Sequence, residues 1–150
     1  MKFSKFLKGI NKDYEEIVSK EPSLASIKLD VDLSNIRGKD FYRVLILVTE
    51  DFDKDCKTAL FEIAESAKKK YQNKYSKKVK GNKSLNSYQE FINQFIVLQS
   101  DIGENASIEN TRFTKVLNLQ ANDFYAYEVY SIVISRGITA KSAFEQLYKK

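Results

Sequence analysis

Two different spacings of apolar residues occur along the first fifty positions, and the change of spacing predicts a change of structure. Between residues 2 and 19, apolar side chains recur at every third or fourth position, which predicts an amphipathic helix. Pro22 follows, and proline disfavours helical geometry in the residue before it. In residues 27–33, apolar and charged side chains alternate strictly, which is typical of a half-buried strand.

The next segments continue this alternation of strand and helix patterns. Turn-forming residues lead into residues 41–49, whose β-branched and aromatic content favours a more deeply buried strand. The strands at 27–33 and 41–49 would form a hairpin. Residues 53–78 return to helical spacing, with apolar side chains on one stripe at Cys56, Leu60, Ile63, Ala64 and Ala67.

The second half of the chain predicts the same kinds of element. A capping-box pattern that begins at Ser87 predicts a helix over 87–98. Residues 111–119 and 124–135 are rich in Phe, Tyr, Val and Ile, which favours strands, although 124–135 also fits a helix face. Gly137 and the possible N-cap Thr139 precede a terminal helix over 139–149.

These patterns predict one α+β domain over residues 1–150, with a mostly α fold as the alternative. In the α+β reading, antiparallel strands at 27–33, 41–49, 111–119 and 124–135 pack with helices at 2–19, 53–78, 87–98 and 139–149. A chain of 150 residues with 43% apolar and 30% charged residues is large enough to bury a core and too apolar to be disordered.

Composition removes several classes of chemistry. The chain has no His, so it lacks the usual general base and the commonest zinc ligand. Its single Cys cannot form an intramolecular disulfide or a thiolate metal cage. All five Gly are isolated, so no phosphate-binding glycine loop is present. We therefore expect no catalytic residue, no metal and no cofactor.

The expected location is the cytoplasm. The longest strictly apolar run has five residues, at 44–48, whereas a membrane-spanning helix needs about 20. The first residues lack the apolar region and the cleavage site of a secretory signal, so we expect them to belong to the mature protein.

Positive charge is concentrated in residues 66–89, which we call the lysine arm. The arm contains eight Lys and no acid, so it carries +8 of a total charge of +5 and leaves −3 on the rest of the chain. Its predicted nucleic-acid-binding residues are Lys68, Lys69, Lys70, Tyr71, Lys74, Tyr75, Lys77, Lys78, Lys80 and Lys83. Lysines bind phosphates and tyrosines stack on bases, but the same run is also typical of a solvated helix face.

Two acidic patterns give weaker alternatives. Asp51, Asp53, Asp55 and Glu62 occupy calcium-loop positions 1, 3, 5 and 12, but Cys56 replaces the glycine that the loop turn needs. Carboxylates that hold Mg²⁺ are the basis of metal-dependent nucleases. The carboxylates for such a site would come from Asp30, Asp32, Glu50, Asp51 and Asp55.

The preferred hypothesis is a non-enzymatic binding protein, a small accessory or assembly subunit that contacts nucleic-acid backbone through the lysine arm. A protein-directed adapter, inhibitor or assembly subunit without nucleic-acid binding is the first alternative, because 19 aromatic residues would suit a protein interface. A divalent-metal nuclease is the second alternative. Four of the 25 basic residues are Arg and none lies in the arm, so any nucleic-acid contact is expected to be independent of base sequence.

Overall fold

The core of the described residues is built mainly from helices. A computed structural model describes residues 1–70, 73–74, 86–98, 105–106, 115–116, 118–119 and 121–149. In this part of the chain the helices are α1 (Phe3–Gly9), α2 (Tyr14–Lys20), α3 (Gly38–Val48), α4 (Phe52–Lys70), α5 (Ser87–Leu98), α6 (Ala126–Arg136) and α7 (Ala140–Tyr148). Short 3₁₀ turns cover Pro22–Ser26 and Leu33–Asn35, and two-residue strands β1 (Asn73–Lys74) and β2 (Asn105–Ala106) pair antiparallel.

The predicted helix over 2–19 is two helices. Asn11 adopts a left-handed φ of 57°, so the right-handed helix α1 does not continue through it. Asp13 then caps α2, because its carboxylate accepts the Glu15 N–H at 3.2 Å. Both helices bury their apolar faces, so the helical spacing was interpreted correctly and only the break was missed.

The predicted strand over 41–49 is wrong, because this segment is helix α3. Phe41, Val44 and Leu45 are fully buried on one face of the helix. The next residue, Ile46, is 53% exposed. That pattern is helical, and the β-branched residues that favoured a strand are accommodated because packing against the core outweighs intrinsic propensity. The α+β fold class is therefore wrong for the described residues, and the mostly α alternative fits.

The predicted strand over 124–135 is also wrong, because it is the central helix α6. Residues on all of its sides are buried, including Ala126, Val129, Tyr130 and Ile132. A helix that is enclosed all round loses its amphipathic pattern and resembles a central strand in sequence. For the predicted strand over 111–119, the described residues 115–116 are helical and 118–119 form a turn.

The alternating segment over 27–33 is not a strand of a hairpin. Its backbone bonds the start of α1 instead, where the Phe3 N–H donates to the Val31 carbonyl at 2.8 Å. The Leu33 N–H donates to the Met1 carbonyl at 2.9 Å. Ile27 and Leu33 reach the core, while Leu29 is 42% exposed. The alternating segment thus contains a turn at residues 29–30, runs into the 3₁₀ turn at Leu33–Asn35, and forms no ladder with residues 41–49.

The remaining predicted helices are confirmed, with adjustments at their ends. Helix α5 covers the predicted range, but its capping box begins one residue earlier than predicted. The Asn86 N–H donates to Oε1 of Gln89 at 3.1 Å, and the Gln89 N–H donates to Oδ1 of Asn86 at 2.9 Å. Helix α7 begins after Thr139, whose hydroxyl accepts the Ser142 N–H at 3.2 Å. Helix α4 ends at Lys70, before the predicted end at 78.

The core lies between α4, α6 and the helices around them. α4 packs along α6, α3 and α7 pack against both of these helices, and α5 packs against α7. Six phenylalanines are almost completely buried there, namely Phe3, Phe6, Phe41, Phe91, Phe124 and Phe144. No helix in the described ranges is both long enough and apolar enough to cross a membrane.

Candidate functional site

Asp123 is the centre of a buried polar cluster between the loop before α6 and the start of α3. Its side chain is almost completely enclosed, with 4% exposure. One carboxylate oxygen, Oδ1, accepts the hydroxyls of Tyr88 at 3.0 Å and Tyr148 at 2.7 Å, and the Phe124 N–H at 2.8 Å. The other, Oδ2, accepts the Lys39 N–H at 2.9 Å. A buried carboxylate is thus held by four donors from three helices and its own loop.

Burial shifts the ionisation of all three side chains. It raises the pKa of Asp123, although the hydrogen bonds from Lys39, Tyr148, Tyr88 and Phe124 oppose the increase. Burial is also the main cause of the raised pKa values of Tyr88 and Tyr148, and the negative charge of Asp123 adds to it. Both hydroxyls therefore stay protonated and able to donate at neutral pH.

The chain brings this cluster together by pairing the starts of α3 and α6. The Gly38 N–H donates to the Phe124 carbonyl at 2.8 Å, and the Ala126 N–H donates to the Ile36 carbonyl at 2.9 Å. This single antiparallel bridge sets two helix starts side by side. Gly38 is needed at this point because a Cβ there would contact the Tyr148 hydroxyl and lie 2.7 Å from Cζ of the ring.

A surface cavity of about 750 Å³ opens above the cluster. The start of α3, the start of α5, the loop before α6 and the end of α7 line it. The polar and aromatic lining residues are Arg37, Lys39, Asp40, Tyr42, Arg43, Ser87, Tyr88, Asn122, Asp123, Tyr148 and Lys149, and the aliphatic ones are Ile46 and Leu147. Two of the four Arg of the chain therefore lie at one cavity.

The cations around this cavity differ in their ion pairing. Arg43 lies 3.1 Å from Glu21 and 3.9 Å from Asp40, and Lys149 lies 3.3 Å from Glu145. The side chains of Arg37 and Lys39 make no ion pair with any residue that the structure describes. Two of the four cations at the cavity therefore lie outside these ion pairs.

The lysine arm is described only in part. Lys68, Lys69 and Lys70 form the last turn of α4, and the backbone of Lys74 pairs with Asn105 in the β1–β2 pair. The other predicted binding residues, Tyr71, Tyr75, Lys77, Lys78, Lys80 and Lys83, lie outside the described residues. Residues 66–70 of the arm thus belong to α4, and residues 87–89 belong to α5.

The acidic candidates for a metal site lie around two separate cavities. Asp30 and Asp32 line one of about 480 Å³, and Glu50, Asp51 and Asp55 line another of about 400 Å³. Hydrogen bonds from Ser34 to the Asp32 carboxylate, at 3.0 Å from its N–H and 2.8 Å from its hydroxyl, lower the pKa of Asp32. No cluster of three or more possible metal ligands occurs among the described side chains.

The residues that match the calcium-loop pattern do not form a calcium loop. Helix α4 starts at Phe52, so Asp53, Asp55 and Glu62 are spaced along a helix instead of around an ion. Asp51 caps this helix through the Lys54 N–H at 3.1 Å, and Asp55 accepts the Thr49 hydroxyl at 2.5 Å. The acids of this pattern that make these contacts thus stabilise helix ends.

Cys56 is buried, as its place on the apolar stripe predicts. Burial raises the pKa of its thiol well above the ordinary value, and the charges of Asp53 and Asp55 add to the effect. A buried, protonated thiol is a poor nucleophile. Cys56 is therefore part of the core.

Comparisons with known proteins give no family for this chain. No protein-family model matches it, and neither a curated protein nor a solved structure does. Function is therefore argued from the residues and their arrangement alone.

Sequence reasoning missed the cavity and its cluster. Tyr88 is 35 residues from Asp123, and the backbone N–H of Lys39 is 84 residues away. None of these residues belongs to a local motif. The one usable signal was Asp123 itself, an acid directly before an apolar run, which indicates either a helix end or a buried polar contact.

Proposed function

We propose that this protein binds the sugar–phosphate backbone of nucleic acid through the lysine arm, as a non-enzymatic accessory or assembly subunit. The observation that carries the proposal is the charge distribution: eight Lys and no acid in residues 66–89, against −3 for all other residues. Phosphate contacts by lysine release counterions and supply most of non-specific nucleic-acid affinity. A reducing compartment such as the cytoplasm suits a chain with one buried Cys.

The place of the arm along the chain supports this proposal. The arm begins in the last turns of α4, where Lys68, Lys69 and Lys70 add positive charge at a helix C-terminus. Cations are favourable there because they complement the helix dipole, so this charge density does not cost stability. The long helix α4 packs along α6 and would give the start of the arm a fixed position on the molecule.

The test is fluorescence anisotropy of labelled single-stranded and duplex DNA and RNA, titrated with the protein at about 50 and 200 mM salt. A four-site variant, Lys69→Glu, Lys74→Glu, Lys77→Glu and Lys78→Glu, changes the net charge from +5 to −3. A matched control changes four exposed lysines outside the arm by the same total charge: Lys12→Glu, Lys20→Glu, Lys28→Glu and Lys141→Glu.

We expect micromolar to sub-millimolar binding at low salt, with a slope of log K against log salt of about −5 for six phosphate contacts. The arm variant should abolish binding, whereas the control should weaken it less, because only the arm concentrates charge. If neither DNA nor RNA binds at low salt, or if both variants weaken binding equally, the proposal is wrong. The first result would favour the adapter alternative.

A further inference from the structure

We propose that the cavity between the start of α3 and the end of α7 binds a small organic phosphate that carries a planar ring. Its volume of about 750 Å³ lies within the roughly 300–1,000 Å³ of small-molecule sites. Its lining combines the cations Arg37 and Lys39 with the tyrosines and the aliphatic residues Ile46 and Leu147. This inference is independent of nucleic-acid binding by the lysine arm.

The phosphate group is assigned to the start of α3. Arg37 and Lys39 are the cavity cations whose side chains make no ion pair with other described residues. Asp123 also lines the cavity, but it is 4% exposed and four donors hold its oxygens. A guanidinium beside an ammonium group is suited to a phosphate, which accepts several charged hydrogen bonds.

The planar ring is assigned to the tyrosines of the cavity lining. Ring packing fixes these walls: the centroid of Tyr42 is 6.1 Å from that of Tyr148, and Tyr88 meets Phe124 edge to face at 5.5 Å. Their positions are set before any ligand arrives, so binding would immobilise few side chains. Ile46 is 53% exposed beside these walls and offers apolar area that the fold itself does not use.

The probe for the test is adenosine 5′-monophosphate, with adenosine and inorganic phosphate as its two halves. Each is titrated to about 10 mM, an order of magnitude past the millimolar end of the affinity scale. Binding is followed by calorimetry and by ¹H–¹⁵N NMR shifts of the full chain. We expect the monophosphate to bind at least tenfold more tightly than either half, with shifts at Lys39, Tyr88, Asn122 and Tyr148.

Three variants locate the site. Arg37→Gln with Lys39→Gln removes the charged hydrogen bonds and should weaken binding about tenfold or more. Ile46→Glu places an acid on an exposed position at the cavity and should also weaken binding, with the thermal midpoint unchanged because Ile46 is not part of the core. The matched control is Lys141→Gln, an exposed lysine of α7 that does not line the cavity, and it should bind as the parent does.

Several results would overturn the proposal. These are no binding of the monophosphate, equal binding of phosphate alone, or equal weakening by the control. NMR shifts confined to residues outside the cavity would also overturn it. Charge reversal in the lysine arm distinguishes the two proposals. It should abolish nucleic-acid binding and leave monophosphate binding in place, so either proposal can fail without the other.

Discussion

Two aspartates of this protein make the same contact with a distant helix but in opposite surroundings. Asp123 accepts the Lys39 N–H at the start of α3, 84 residues away, and Asp53 accepts the Ala140 N–H at the start of α7, 87 residues away. Asp123 is buried under the cavity, whereas Asp53 lies on an exposed turn of α4. Both place a negative charge at a helix N-terminus, where the dipole favours it.

The difference shows that the burial of such an aspartate, and not the contact itself, decides how much the aspartate contributes to stability. Asp53 is exposed and its contact with the Ala140 N–H is part-buried, so water can take over part of the hydrogen bonding if the carboxylate is removed. At Asp123, removal would leave two N–H groups and two tyrosine hydroxyls without their acceptor, and a buried unpaired polar group costs about 1–3 kcal/mol. The buried aspartate is therefore expected to dominate stability.

The largest expected effect is that of Asp123→Ala. We expect a loss of about 2–4 kcal/mol in the free energy of unfolding, because several buried donors lose their acceptor together. Urea denaturation followed by circular dichroism measures it. Asp123→Asn keeps the shape and one acceptor oxygen and should lose less. A loss below that of Asp53→Ala would contradict the comparison.

Gly38→Ala should cause the next largest loss of stability. The added Cβ would contact the Tyr148 hydroxyl, so overpacking is expected to cost about 1–3 kcal/mol. In a Tyr148→Ala background the same change should cost nothing or stabilise, because alanine is the better helix former and Gly38 has no positive φ. A double-mutant cycle by urea denaturation gives the coupling. Equal losses of stability in both backgrounds would show that the Tyr148 side chain does not require a glycine at position 38.

Alkaline pH should weaken the buried cluster and spare the Asp53 contact. Burial raises the pKa values of Tyr88 and Tyr148 from 10.0, and the negative charge of Asp123 adds to the increase. The folded protein holds these protons more tightly than the unfolded chain, so their contribution is complete below pH 10 and is lost as pH rises through the folded values.

The measurement is the urea midpoint from pH 8 upward, with and without Tyr88→Phe and Tyr148→Phe together. The double variant is less stable at pH 8, because two hydrogen bonds are lost, but its stability should fall less steeply above pH 10. Parallel pH curves for parent and double variant would mean that these hydroxyls do not titrate with unfolding. Asp53→Ala should instead act on Tyr130, whose pKa is raised to about 12 by burial and by the charges of Cys56 and Asp53.

The smallest effect is that of Asp53→Ala. Asp53 itself is exposed, although the contact is part-buried, and Thr139 still caps α7, so a loss of about 0.5–1 kcal/mol is expected. High salt should reduce this difference, because the charge is accessible to screening ions. Thermal denaturation at low and high salt measures it. A loss as large as that of Asp123→Ala would mean that exposure does not separate the two sites.

Local sequence patterns were sufficient to predict a helix where the apolar spacing did not also fit a strand. The helices at Ser87–Leu98 and Ala140–Tyr148 were predicted in place, because capping residues and apolar periodicity agree there. Patterns were insufficient for Gly38–Val48 and Ala126–Arg136, where β-branched and aromatic residues favour strands and burial favours helices. Propensity differences are small compared with the burial of a whole helix face, so packing decided both.

The sequence alone determined the charge distribution of the protein and the chemistry it lacks. Eight Lys without an acid in residues 66–89 and the absence of His are properties of composition, and no fold changes them. Only the tertiary structure placed Asp123 under Tyr88, Tyr148 and the start of α3, and with it the cavity beside Arg37 and Lys39. These partners are far apart in the chain, and their meeting depends on how buried helices pack, which no local spacing encodes.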